Sequence, residues 1–150
     1  MDTLPTNLWH NVPMAQAAKS RTPAKLLTRL HLDLESVEAG VPVDTMTTFI
    51  SASGVELKDI YDVVIPARTL KHRRSRREAL SSDESDKLAR LVRVFDHAVA
   101  VFGDAERARN WLGAPKKRFD QRTPLQMLRT DLGGRMVEEM LGQIEYGMFA

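Results

Sequence analysis

The 150-residue chain contains no cysteine. That absence removes disulfides, thiolate metal sites and cysteine nucleophiles, and it makes a reducing cytosol the simplest home. No apolar run approaches the roughly 20 residues needed to cross a bilayer, and the first residues lack a basic segment followed by an apolar export stretch. A cytoplasmic, unexported protein with no membrane partner is therefore expected. The four histidines, His10, His31, His72 and His97, have no paired spacing that would set two imidazoles on one helix face. Asp83, Glu84 and Asp86 cluster where a helix is expected to start, and the helix dipole accounts for them without a metal. Gly133-Gly134 lacks the flanks of a phosphate loop and reads as a helix C-terminus. With no nucleophile, base or metal constellation at workable spacing, the expectation is no enzyme, no metal and no cofactor. Strand-like alternation, internal repeats and low-complexity tracts are also missing, which leaves an all-α chain.

What is present suits a real core. Hydrophobic residues make up 43% and charged residues 28% of the chain, ordinary values for a globular protein. A chain of this length buries roughly 70% of its unfolded surface. Residues 1–22, with Pro5 and Pro13, have no sustained period and read as a flexible leader that Trp9 can anchor. Thr22-Pro23 is a helix start, and Leu26, Leu27, Leu30, Leu34 and Val37 form a stripe running to Gly40, expected as one helix. A second helix spans Asp44 to about Ser53, turning Met46, Phe49 and Ile50 inward and stopping at Gly54. These two either complete a core with the helices downstream of them or pair with a second copy.

Downstream, Leu80-Ser81-Ser82-Asp83-Glu84 marks a boundary. A serine cap and early acidic residues lead into Leu88, Leu91, Val92, Phe95, Ala98, Val99 and Phe102, the longest helix of the chain, closed by Gly103. Asp104 caps a short helix with Ala105, Ala108, Trp111 and Leu112 on one side, Trp111 being expected in the core with its indole N–H hydrogen-bonded. Lys116, Lys117 and Arg118 fall in a loop. Thr123-Pro124 opens a further turn with Leu125 and Leu128, expected to end at Gly133-Gly134, and Val137, Met140, Leu141 and Ile144 stripe the last helix.

The formal charge is only +2, so the placement of charge carries more than its total. Six basic side chains fall between Arg68 and Arg77, after an apolar segment, Glu56 to Val63, whose Leu57, Ile60 and Tyr61 recur at helical spacing. Between them lies Val64-Ile65-Pro66, where Pro66 suits the first turn of a new helix. That order is how a helix-turn-helix lays a cationic helix on DNA. Measured at about 100° per residue from its inward anchor Leu70, the outer face centres on Arg68, His72 and Ser75, with Lys71 beside them and Thr69 on the same helix. Arg73, Arg74, Arg76 and Arg77 lie at the sides or past the helix end, where cations meet phosphates and set position. Helix-turn-helix turns often use glycine, whereas Val64 and Ile65 resist positive φ, so a wider turn is expected.

The second half carries five ordered blocks. They are Asp83-Glu84-Ser85-Asp86-Lys87-Leu88 leading to Arg90-Leu91; Phe102-Gly103-Asp104; Ala108 with Trp111-Leu112; Thr123-Pro124-Leu125 with Leu128; and Ile144-Glu145-Tyr146-Gly147. Together they resemble the toxin-binding domain of Xre/MbcA/ParS antitoxins over about Leu80 to Ala150. The segment Asp44 to Arg77 looks like the Xre-type helix-turn-helix that precedes it in that family, and residues 1–40 match only loosely. With the leader (1–22) read from its composition, the chain divides further into a helical region with the helix-turn-helix (23–80) and a small helical domain (81–150) that the resemblance implies binds toxin. The resemblance further implies a type II toxin–antitoxin system in which a RES-domain toxin that destroys NAD is sequestered. Such antitoxins are usually homodimers within a larger toxin–antitoxin assembly and repress their own operon by binding operator DNA.

The tail agrees with that expectation. Tyr146, Gly147, Met148, Phe149 and Ala150 follow the last helix as an apolar end that either folds back on its own core or enters a cleft made for an anionic dinucleotide, and the resemblance favours the cleft. Glu138 and Glu145, seven apart on one helix face, either meet cationic toxin residues or form a solvated charged edge. The alternative is a DNA-binding regulator or adaptor whose C-terminal domain holds a protein other than a toxin.

Overall fold

The computed structural model describes residues 25–147, and the structural statements concern those residues alone. Regular structure there is helical, apart from one isolated bridge between Lys116 and Arg122. In chain order the helices are α1 (Leu26–Arg29), α2 (Leu34–Ala39), α3 (Val43–Ser53), α4 (Leu57–Val63), α5 (Ala67–Arg76), α6 (Ser82–Phe102), α7 (Ala105–Leu112), α8 (Pro124–Met127) and α9 (Asp131–Glu145), with a 3-10 turn at Lys117–Phe119. The leader, Trp9, the Thr22-Pro23 start and Met148 to Ala150 lie outside the described residues.

The expected single helix up to Gly40 is two helices. His31 takes φ 54°, and Asp33 then caps α2 by accepting from Ser36 N–H at 2.9 Å while the Ser36 hydroxyl accepts from Asp33 N–H at 3.0 Å. A local capping box outcompetes continuation of the leucine stripe. The register changes with it: Leu32 is buried and Leu34 is 74% exposed. α1 is capped from a distance, because both carboxylate oxygens of Asp96 accept from its first N–H groups, Leu26 and Leu27, at 2.9 Å.

α6 organises the rest. Ser81 and Glu84 form its capping box, and Leu88, Leu91, Val92, Val94, Phe95 and Ala98 are buried along it. α1, α2, α3, α7 and α9 all pack against this one helix. Phe49 of α3 meets Phe95 of α6 edge to face, centroids 5.7 Å apart, the geometry favoured by the ring quadrupoles. A single apolar cluster thus runs from Leu26 to Leu141. Arg90 is buried within it, donating to Leu128 O at 3.1 Å and to Asp86 at 3.2 Å.

Two further expectations are corrected. Gly133-Gly134 does not end a helix but lies in the first turn of α9, capped by Thr130. A Cβ on Gly133 would stand 1.9 Å from Met127 O, and one on Gly134 would stand 2.9 Å from the Arg90 side chain. The pair is there so that α9 can approach α8 and α6. Trp111 is half-buried, with Phe102 at 5.5 Å and Lys116 Nζ 4.8 Å from its ring centroid. Burial pushes the Lys116 ammonium below its ordinary range.

Candidate functional site

The turn between α4 and α5 is built without positive φ. Val64 stays in the right-handed region (φ −107°, ψ −58°), and the N–H groups of Val64 and Ile65 both donate to Ile60 O, at 2.9 and 3.1 Å. Pro66, extended at φ −60° and ψ 147°, is the N-cap of α5, one residue before the first helical position. The residue preceding a proline is driven out of the helical region, so Ile65 cannot prolong α4. Val63, Val64 and Ile65 are all buried. An apolar turn therefore does with packing what glycine does with conformational freedom. Leu57, expected inward, is 46% exposed, and the buried turn takes over its share of the core.

α5 hangs from the core by Leu70, which is 1% exposed. Arg68, Thr69, Lys71, His72 and Ser75 line a shallow surface concavity of about 440 Å³. All but Thr69 are exposed, so the structure brings together the outer face expected from spacing. Arg74, Arg76 and Arg77 are exposed at the C-terminal end, where Arg77 adopts the left-handed conformation at φ 55°.

Arg73 is differently employed. Its Nε and Nη2 reach Glu84 at 3.2 and 3.4 Å, and its Nη1 reaches Glu78 at 3.1 Å. Glu84 meanwhile accepts from Ser81 N–H at 2.8 Å. Burial pushes the Glu84 carboxyl up, but the Ser81 and Arg73 hydrogen bonds outweigh it and hold the group below the usual glutamate range. The Arg73 guanidinium is raised by the same bonds, those to Glu84 foremost. One side chain thus fixes the end of α5 to the start of α6.

At the other end, Tyr146 is 77% exposed and Gly147 is also exposed, leading to the three tail residues beyond the described region. Two acidic residues of α9 reach across to α6, Glu138 to Arg93 at 2.7 Å and Glu145 to His97 at 3.3 Å. Leu132 and Met136, which sequence reasoning did not single out, are exposed on the same helix. The signal was available in Thr130-Asp131, an N-cap that starts α9 before the glycines. No group of three or more metal-binding side chains occurs among the described residues, and none of their helices is long and apolar enough to cross a membrane.

Comparison with known proteins accords with this layout. The profile of the antitoxin Xre-like helix-turn-helix domain matches residues 32–93, and that of the antitoxin Xre/MbcA/ParS C-terminal toxin-binding domain matches residues 97–147. The two meet inside α6. An antitoxin Xre of Pseudomonas putida is 51% identical over 86 residues, 57% of this chain and 54% of that protein. An antitoxin Xre of Yersinia enterocolitica is 32% identical over 78% of this chain and 80% of its own length. An antitoxin Xre of Photorhabdus laumondii is 35% identical over 73% and 75%, respectively. With a helix-turn-helix suspended from a helical module of this type, the chain belongs to the Xre/MbcA/ParS family of antitoxins.

Proposed function

We propose that this antitoxin neutralises a RES-domain, NAD-degrading toxin by inserting its C-terminal segment into the toxin's active site, and that it represses its own operon through α5. The supporting observation is the separation of two surfaces on one core. The exposed cations of α5 stand on one element, while the helix leading to the apolar tail belongs to another. We assign 23–80 to the DNA-facing half and 81–150 to the toxin-facing half, working as a homodimer within a larger assembly in the cytosol. On DNA, Arg68, Thr69, Lys71, His72 and Ser75 face base edges, and Arg74, Arg76 and Arg77 hold phosphates. Arg73 contributes by orienting the helix. On the toxin, Tyr146 and Gly147 lead Met148, Phe149 and Ala150 toward a cleft shaped for NAD.

Each half has its own test. Co-expression with the neighbouring reading frame measures neutralisation: removing residues 148–150 is expected to restore toxicity while gel-shift affinity for operator DNA is kept. Full rescue by the truncated chain would dismiss the plug. For DNA, Arg68→Ala is expected to cost about 1–3 kcal/mol at one operator position. Arg76→Ala is expected to weaken binding to all sequences and lower the salt slope by about one. Unchanged affinity in both variants would remove α5 from the operator.

A further inference from the structure

Among the described residues, unpaired arginines concentrate on α5. Those with neither an ion pair nor a side-chain hydrogen bond are Arg29, Arg68, Arg74, Arg76 and Arg77, and all but Arg29 lie on α5 or at its C-cap. On the outer face, Arg68, Lys71 and His72 are exposed, and their side chains make no ion pair or hydrogen bond. Ser75 gives its hydroxyl proton to His72 O at 2.9 Å and so brings only lone pairs. The helix holds no aspartate, glutamate, asparagine or glutamine. These absences matter because each base edge in the major groove suits a different partner. Cytosine offers an amino donor, which a carboxylate accepts, and adenine offers a donor beside an acceptor, which asparagine or glutamine matches. Guanine offers two acceptors, O6 and N7, and takes arginine or lysine. The outer face of α5 supplies donors: arginine and lysine have no acceptor at all, and imidazole has at least one N–H.

We infer that α5 is a guanine reader: Arg68 forks onto O6 and N7 of one guanine in the major groove, and His72, one turn on, donates to N7 of a second guanine on the same strand. The inference rests on the proposed operator role of α5 and names what that operator must contain. Spacing sets the distance between the two bases. Arg68 and His72 are four residues apart, about 6 Å along the helix axis at 1.5 Å per residue, which matches two base steps of about 3.4 Å for a helix lying along the groove. One base pair therefore separates the guanines. Lys71, a flexible point charge to one side of that line, favours the same acceptors without fixing geometry. The anchoring of α5 serves this reading. Buried Leu70 fixes the depth of the helix, and Arg73 holds its rotation through Glu84 at 3.2 Å. A two-pronged contact from Arg68 needs both, because its geometry is fixed by the planar guanidinium.

The test uses the full chain and the DNA upstream of its own reading frame. Dimethyl sulfate attacks guanine N7 in the major groove, so footprinting with it marks the guanines that the chain covers. Each is then replaced by 7-deazaguanine, which lacks that acceptor and keeps its base pairing. Two covered guanines with one base pair between them are expected in each half-site, and each replacement is expected to lower gel-shift affinity about fivefold. Arg68→Ala is expected to bind natural and replaced DNA equally at one of the two positions, and His72→Ala at the other. Arg76→Ala is expected to weaken binding but to leave both preferences unchanged. Arg68→Gln exchanges the fork for an amide that matches adenine, so it is expected to prefer adenine at that one position, a gain that misfolding cannot produce. Full affinity for DNA replaced at every covered guanine overturns guanine reading while operator binding stands. Preferences that survive in both Arg68→Ala and His72→Ala overturn it as well. If the unaltered chain binds its upstream DNA no better than an unrelated fragment of the same length, the operator role itself fails and the inference goes with it.

Discussion

At the residue scale, the Arg73–Glu84 pair accounts for how a cationic helix is held at a fixed angle. Ten-residue α5 has a single buried side chain, Leu70, which sets its depth but leaves rotation free. The bidentate contact from Arg73 to Glu84 removes that freedom, and the planar guanidinium suits the role better than a lysine ammonium does. Because the Glu84 carboxyl is held below its ordinary value of 4.5, its contribution is present above that value and is lost as pH falls through the lower folded value. Glu84→Gln is therefore expected to melt lower than the unaltered chain at pH 7, with the difference closing below about pH 4.5. Thermal scans from pH 3 to 8 check this, and a constant offset would count against it. Arg77, left-handed at φ 55°, invites the opposite change. Arg77→Gly relieves the Cβ clash at the C-cap and is expected to gain about 0.5–1 kcal/mol in denaturant unfolding while weakening operator binding. Stability and DNA affinity would move in opposite directions at one position.

At the scale of elements, α9 tests why glycines sit inside a helix. Gly133→Ala drives a Cβ into Met127 O, 1.9 Å away, where backbone must move. A loss of about 2–3 kcal/mol is expected, in the range of overpacked cores. Gly142→Ala meets nothing within 4 Å and is expected to gain about 0.5–1 kcal/mol from helix propensity alone. Urea midpoints of the two variants separate these effects, and similar values would mean that close approach does not govern Gly133. The same glycines mark a limit of sequence reading. α3, α5 and α6 were legible because periodicity agrees there with a breaker or a cap, Gly54 for α3, Pro66 for α5, and Ser81 with Gly103 for α6, and the outer face of α5 followed from Leu70 alone. The Gly133-Gly134 pair resembles a terminus in sequence, and only the neighbours Met127 and Arg90 reveal its purpose. The break between α1 and α2 was written in Asp33 and Ser36, but a continuous leucine stripe outweighed that short motif. In sequence Arg73 is indistinguishable from the phosphate-facing cations, because its partner Glu84 lies eleven residues away, on another helix.

At the scale of the whole molecule, the two surfaces share one foundation. The helix-turn-helix touches the C-terminal module through Phe49 on Phe95, through Arg109 donating to Ser53 O at 2.8 Å, and through the Asp62–Arg129 ion pair. α4 also lies against α8. The surface ion pair adds little by itself, and the aromatic contact within a continuous core is what makes the halves interdependent. Phe95→Ala removes a ring that is 2% exposed, and such deletions cost about 3–5 kcal/mol. That is a large part of the roughly 5–15 kcal/mol that stabilises a domain. The expected result is one cooperative transition at a lower temperature, in which circular dichroism, operator binding and toxin neutralisation are lost together. Two separated transitions, with operator binding failing first and neutralisation surviving, would mean instead that α6 joins two independently stable units.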